Sequence, residues 1–293
     1  MKKLLSVFLT ICLFFSTTPY SAINVFADTS EDYTYVVLNG EVTITGVNTS
    51  ISGDITIPST LGGYPVTSIG DYAFFRCFEL TSVTIPYSVT RIGYYAFNYC
   101  YALESVTMGN NVTIIGDGAF AYCAELNSIT IPDSVESIGN GAFYWCDSLT
   151  GINIPDNVES IVNEVFYCCD NLTDITVNSL NKFFCDIDGV LFNKSKTEII
   201  CYPEGKSATF YDIPESVTNI ARGAFYWCDS LEDVTIPDSV ESIGEEAFYC
   251  CCFLLSITVP DSVTSIGESA FYECSDIKNV IIEEAVKIEI TLL

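Results

Sequence analysis

From Val66 onward, apolar residues recur in one fixed order. The order is V-x-x-I-G-x-x-A-F-x-x-C-x-x-L-x-x-[VI]-x-[IV]-P, and it returns every 23 residues. Five copies run without a gap from Val66, Val89, Val112, Val135 and Val158, and three more start at Val217, Val240 and Val263. Each copy divides into three stretches. The L-x-x-V-x-I stretch, as in Leu80-Thr81-Ser82-Val83-Thr84-Ile85, alternates at its end and predicts a short strand with one buried face. The V-x-x-I-G stretch predicts a second short extended segment. The A-F-x-x-C-x-x-L stretch spaces its apolar residues by three and four, which predicts a short helical turn with one apolar side. Proline closes the strand, and the Asp-Ser that often follows starts the turn into the next copy.

A fixed period of this length is the signature of a solenoid. The expected architecture is an α/β repeat with one short strand, a second extended stretch and a short helical turn per 23-residue rung. About eight core side chains per rung contribute on the order of 10–15 kcal/mol gross. Fixing the backbones of one rung costs more, at ~1–2 kcal/mol per residue. A rung therefore folds only when stacked on its neighbours. With strands ~4.8 Å apart, about ten rungs make a rod of roughly 45–50 Å. The glycine of the motif is replaced by Val162 and Ala221, so a positive φ is not obligatory at that place.

The organisation along the chain follows. Residues 1–27 read as a secretory signal peptide, with Lys2 and Lys3, the apolar run Leu4–Phe15, and small residues Val25 and Ala27 before Asp28. Residues 28–65 form a hairpin (32–48) and a capping rung, 66–180 are repeats, and 217–282 are repeats again. Between them, 181–216 is an atypical rung whose stretch 188–206 reads as a β-hairpin turning around Asn193–Thr197. Residues 283–293 are a tail. The apolar run near the start is too short for a membrane span, and nothing else in the chain reads as one.

Composition narrows the partners. The formal charge is −27, and loss of Lys2 and Lys3 leaves 9 cations against 38 acids, about −29. Nucleic acid and anionic lipid both require clustered cations, so neither is an expected partner.

The motif I-P-x-S-V-x-x-I-G-x-x-A-F-x-x-C-x-x-L resembles the leucine-rich repeats of the BspA-like bacterial surface proteins. The resemblance covers about residues 33–282 and extends to the lead-in hairpin, the capping rung and the hairpin insertion. It implies an exported, repeat-built interaction protein, often linked to adhesion or host contact. It carries no catalytic residues over, because the shared positions are structural.

Candidate chemistry is sparse. Eight cysteines fall on the repeat: Cys77, Cys100, Cys123, Cys146, Cys169, Cys228, Cys251 and Cys274. They read as a ladder of buried thiols, since free cysteine is among the most buried residue types. Cys185 and Cys201 flank the expected hairpin and are the one candidate disulfide. The chain has no histidine, which removes Cys-His and Ser-His pairs. No cysteine spacing suits zinc, and Asp186-Ile187-Asp188-Gly189 opens like a calcium loop but lacks the later ligands. It reads instead as an Asp-Gly turn. Carboxylates are scattered over the rungs, which leaves a glycosidase pair without an anchor. No cofactor, metal or catalytic residue is expected.

Two rows remain as candidate ligand-binding positions. One lies on the strand, between its buried residues: Ser82, Thr84, Ser105, Thr107, Ser128, Thr130, Asn153 and Thr176. The other follows the buried phenylalanine and includes Tyr144, Trp145, Tyr226 and Trp227, from the two copies of GAFYWCDSL at 141–149 and 223–231. Tyrosine and tryptophan combine contact area with a polar handle. A protein or a glycan would suit either row; the alternatives are a solvated sheet face for the first and rings packed along neighbouring rungs for the second. The competing readings are a polysaccharide-active β-helix enzyme and a purely structural spacer.

Overall fold

The computed structural model describes residues 25–29, 32–162, 164–277 and 279–282. The expected signal peptide up to residue 24 and the tail 283–293 lie outside the described residues. Val25–Thr29 pairs antiparallel with Tyr33–Leu38, so cleavage after Ala27 would fall within that strand.

The chain winds into a solenoid of about ten turns with a parallel sheet on each of two sides. The back sheet comes from V-x-x-I-G. It runs through Tyr64–Ile69, Arg91–Ile92, Ile114–Ile115, Ser137–Ile138 and Ser160–Ile161. The hairpin of Tyr33–Leu38 and Glu41–Val47 caps its first edge. That hairpin turns on Asn39 and Gly40, both at positive φ (54° and 82°), the geometry that lets a two-residue turn follow strand twist. The front sheet comes from L-x-x-V-x-I and includes Ser52–Thr56, Glu79–Thr84, Ser105–Thr107 and Ser128–Ile129, then Gly151–Ile154 paired with Asp174–Val177.

The expected helical turn does not form; among the described residues there is no α-helix. Each corner holds two left-handed residues four apart, such as Tyr72 and Arg76 (φ 58° and 61°) or Gly141 and Trp145 (57° and 60°). Their amides, and that of the phenylalanine between them, donate to the next rung: Tyr72 to the Tyr94 carbonyl, Phe74 to Ala96, Arg76 to Asn98. The intervening amides of Ala73, Phe75 and Cys77 donate three residues back. A helix would satisfy all these amides within one segment. The corner instead divides them between local turns and the neighbouring rung, which ties it to the stack.

The motif glycine is needed for a close approach. A Cβ at Gly116 would stand 2.8 Å from the Gly93 carbonyl carbon, and one at Gly139 would stand 2.7 Å from that of Gly116. Inside the coil Phe74, Phe97, Phe120, Phe143 and Phe166 stack at 4.7–6.0 Å between centroids. The row resumes with Tyr202, Phe225, Phe248 and Phe271. Tyr202 thus fills the phenylalanine place of the atypical rung.

That rung divides the core into two blocks. Phe184–Ile187, Val190–Asn193 and Glu198–Cys201 form an antiparallel meander, and the last strand pairs parallel with Asn219–Ile220 to restart the back sheet. The turn around Asn193–Thr197 lies where the sequence places it, held by Asn193 Oδ1 accepting from the amides of Thr197 and Glu198 (2.9 and 3.1 Å). Asp188-Gly189 (φ 50° and 76°) makes a further tight hairpin turn. Val190 and Phe192 face the second core and Leu191 the first, so this strand is the wall between the blocks.

Candidate binding surfaces

The front sheet places its expected row in register. Ser82, Ser105 and Ser128 are Cα partners, as are Thr84 and Thr107, and Asn153 pairs with Thr176. The alternation follows from burial of Val83, Val106, Ile152 and Ile175, which turns the residues between them to solvent. Thr84, Thr107, Ser128, Thr130, Asn153 and Thr176 are exposed, while Ser82 and Ser105 are half-buried. Thr176 Oγ1 donates to Asn153 Oδ1 (3.1 Å), and Thr81 Oγ1 donates to Asp54 Oδ1 (2.8 Å). Hydrogen bonds from Thr81 and Ser82 hold the Asp54 carboxyl below its usual range. The outcome is a grid of short polar groups, ~4.8 Å apart along the rod and ~6.6 Å along each strand.

The aromatic row lies on the corner, and its rings pack on one another. Trp145 stacks on Tyr122 (5.3 Å) and Tyr122 on Tyr99 (4.4 Å), while the Arg76 guanidinium lies over Phe75 and Tyr99 (5.0 and 5.7 Å). In the second block Tyr226 is held between Tyr167 (4.1 Å) and Tyr249 (5.0 Å), and Tyr249 stacks on Tyr272 (5.2 Å). The two copies of GAFYWCDSL therefore differ: the tryptophan carries the stack in one and the tyrosine in the other. Tyr144, Tyr226 and Trp227 are half-buried, and Trp145 is 38% exposed. Stacked rings cover each other's faces, so much of this row offers edges to a ligand. Burial raises the phenol pKa of Tyr144 and Tyr226, which keeps both neutral.

Tyr72, Phe78, Tyr94 and Tyr101 are exposed large rings on the same corner of the first block. Sequence reasoning missed them because they occupy variable positions of the repeat. The column of Phe78 and Tyr101, which stack at 5.6 Å, was the available signal.

The thiols form the expected ladder. From Cys100 on, each donates a weak hydrogen bond to the carbonyl of the previous rung's ring residue, as from Cys100 to Phe74, Cys123 to Phe97, Cys146 to Phe120 and Cys251 to Phe225 (3.0–3.3 Å). Burial pushes the pKa of Cys123 and Cys146 well up, and that of Cys168 up to about 12. Cys185 and Cys201 stand on strands that flank Val190–Asn193, opposite Phe192 and Leu191. Two strand spacings, ~9–10 Å, exceed the reach of a disulfide, and both are free thiols. Asp186 Oδ1 accepts from the Val177 amide (2.8 Å), and Asp188-Gly189 is the hairpin turn described above.

Partly exposed charged side chains bridge the junction of the blocks. Arg222 pairs with Glu164 of the first block (3.3 Å) and with Glu245 and Glu246 of the second (3.3 and 3.1 Å). Glu204 lies nearby with its pKa pushed up to about 9, by burial and then by the Asp170 carboxylate.

Residues 67–199 and 200–291 match the BspA-type leucine-rich repeat region. The chain belongs to the BspA-type leucine-rich repeat family. Its coil is similar to a leucine-rich repeat protein from Eubacterium ventriosum, at 30% identity over 88% of this chain and 72% of that one, with a TM-score of 0.66. The pneumococcal vaccine antigen PcpA shares the fold at 23% identity, covering 88% of this chain and 82% of its own, with a TM-score of 0.63. A leucine-rich repeat protein of T. pallidum shares it at 22% identity over 86% and 91% of the two chains, with a TM-score of 0.52. No curated protein matches the sequence. Among the described residues no helix is long and apolar enough to cross a membrane.

Proposed function

We propose that this protein is an exported, non-catalytic rod that binds a protein or a glycan, in the manner of an adhesion or host-contact molecule. The observation that carries the reading is the front sheet: short exposed polar side chains repeat in register over successive rungs of a rigid stack. Affinity in such a device comes from many weak contacts on a preorganised face. The non-catalytic part of the reading is supported by the chemistry of the side chains. The chain lacks histidine, burial holds the Cys123 and Cys146 thiols protonated, and its family motif consists of packing positions.

Export rests on the sequence at residues 1–27. N-terminal sequencing of protein recovered outside a producing bacterium should start at Asp28, and a start at Met1 would overturn that part. The binding part is tested by screening purified protein against immobilised extracellular-matrix proteins and a glycan array. A variant with Ser128, Thr130, Asn153 and Thr176 changed to arginine should lose at least tenfold in affinity for whatever is bound. Unchanged binding by a folded variant would contradict the assignment of the front sheet.

A further inference from the structure

The front sheet changes character past the junction. It restarts as Phe210–Asp212, Asp233–Thr235 and Ser256–Val259 in parallel register, with Phe210 opposite Asp233 and Asp233 opposite Ser256. Phe210 occupies the column that holds Ser82, Ser105 and Ser128 in the first block, yet it is 50% exposed. One column over, the Leu255 amide donates to the Glu232 carbonyl (3.0 Å), and the Leu255 side chain is 42% exposed. Asp212, Glu232 and Asp233 are exposed around these two apolar groups. The three strands contain no lysine or arginine. The Lys206 ammonium, close by in sequence, is bound to the carbonyls of Thr173 and Asp188 (3.2 and 2.7 Å).

We infer that this part of the front sheet docks an extended protein segment whose sheet-facing side chains, every second residue, alternate between lysine or arginine and an aliphatic group. The inference rests on the reading of the front sheet as a binding face and specifies its partner. Charge complementarity selects the occupant: three carboxylates without cations on their strands attract ammonium or guanidinium groups. Geometry selects its form. An extended chain sets alternate side chains ~6.6 Å apart on one face, the same separation that the strand gives Phe210 and Asp212. The segment's aliphatic groups then cover Phe210 and Leu255 while its cations meet Asp212, Glu232 and Asp233. A neutral glycan would leave the carboxylates unpaired, and an anionic one would be repelled. A second copy in a two-fold pair would bring like charges together.

Fluorescence anisotropy of labelled dodecapeptides on the full chain tests this, with the Lys-Leu peptide (Lys-Ser-Leu-Ser)3, the Lys-Ser peptide (Lys-Ser-Ser-Ser)3 and the Glu-Leu peptide (Glu-Ser-Leu-Ser)3 as probes. The Lys-Leu peptide should bind about tenfold tighter than Lys-Ser, and the Glu-Leu peptide should not bind. F210S/L255S, which alters exposed groups, should remove the leucine advantage. D212N/D233N should weaken both lysine peptides and flatten their salt dependence, whereas E136Q/E159Q/E241Q on the back sheet should do neither. Equal binding of the two lysine peptides, or a leucine advantage that survives F210S/L255S, would overturn the proposal. So would binding of a neutral oligosaccharide that is lost in F210S, or a dimer in sedimentation that F210S dissolves. If the first-block arginine variant abolishes binding of a screened partner while F210S/L255S does not, the front-sheet reading stands and this proposal alone falls.

Discussion

Cys146 shows how the stack controls a single residue. Its thiol is buried, donates to the Phe120 carbonyl at 3.3 Å and is pushed far from ionisation by burial. Thiolate is the reactive form, so native protein should leave Cys123 and Cys146 unlabelled by a thiol reagent. Unfolding without reductant should expose thirteen free thiols in residues 28–293, the number found unpaired in the fold; fast native labelling of Cys146 would contradict this. Glu204 makes a pH prediction. Its carboxyl is raised to about 9 in the fold, so the folded state holds its proton more tightly than the unfolded chain. Its effect is favourable below the unfolded carboxyl range and turns against folding as pH rises through 5 to 9. E204Q should flatten that loss and stabilise the protein at pH 8 by on the order of a few kcal/mol, read from urea midpoints. At Gly116 a Cβ would meet the rung before it at 2.8 Å, so G116A should cost roughly 1–3 kcal/mol.

At the scale of the element, the corner is the instructive case. Apolar residues at A-F-x-x-C-x-x-L satisfy a helical spacing and a stacked turn equally well, because both place every third or fourth residue inward. What separates them is backbone sign. Gly118, Gly141 and Gly223 share a column with Tyr72, Tyr95 and Glu246, and all six have positive φ. Glycine recurring in an otherwise variable column was the legible trace of that, while the tyrosines in the same column concealed it. Strands and period were legible because burial imposes an alternation that only a sheet satisfies. The aromatic rows were visible as residues and their packing along neighbouring rungs was an expected alternative, but which ring of each Tyr-Trp pair carries the stack was not legible, since it depends on contacts 23 residues away. The insertion presents a further contrast. Its hairpin could be read from turn residues, but Phe192 as part of the second core could not. F192A should therefore cost ~3–5 kcal/mol, and deletion of 182–206 should prevent folding rather than probe recognition.

The whole molecule is a rod whose two blocks share a front face but differ along it. Hydroxyl groups dominate the first block, and carboxylates with isolated apolar groups mark the second. Arg222, paired to both blocks, and the Tyr167–Tyr226 stack tie the two blocks together at the corner. The length of the front face suits an extended macromolecular partner better than a small ligand. The corner rings are the rival surface, and covalent footprinting separates the two. A partner found by screening should be bound to the protein, and the complex labelled with hydroxyl radicals. The account predicts protection of Phe210 and Leu255 and of the front-sheet threonine row, with Tyr101 and Trp145 labelled as in the free protein. Protection confined to Tyr101, Trp145 and their neighbours, with the front sheet fully labelled, would contradict it.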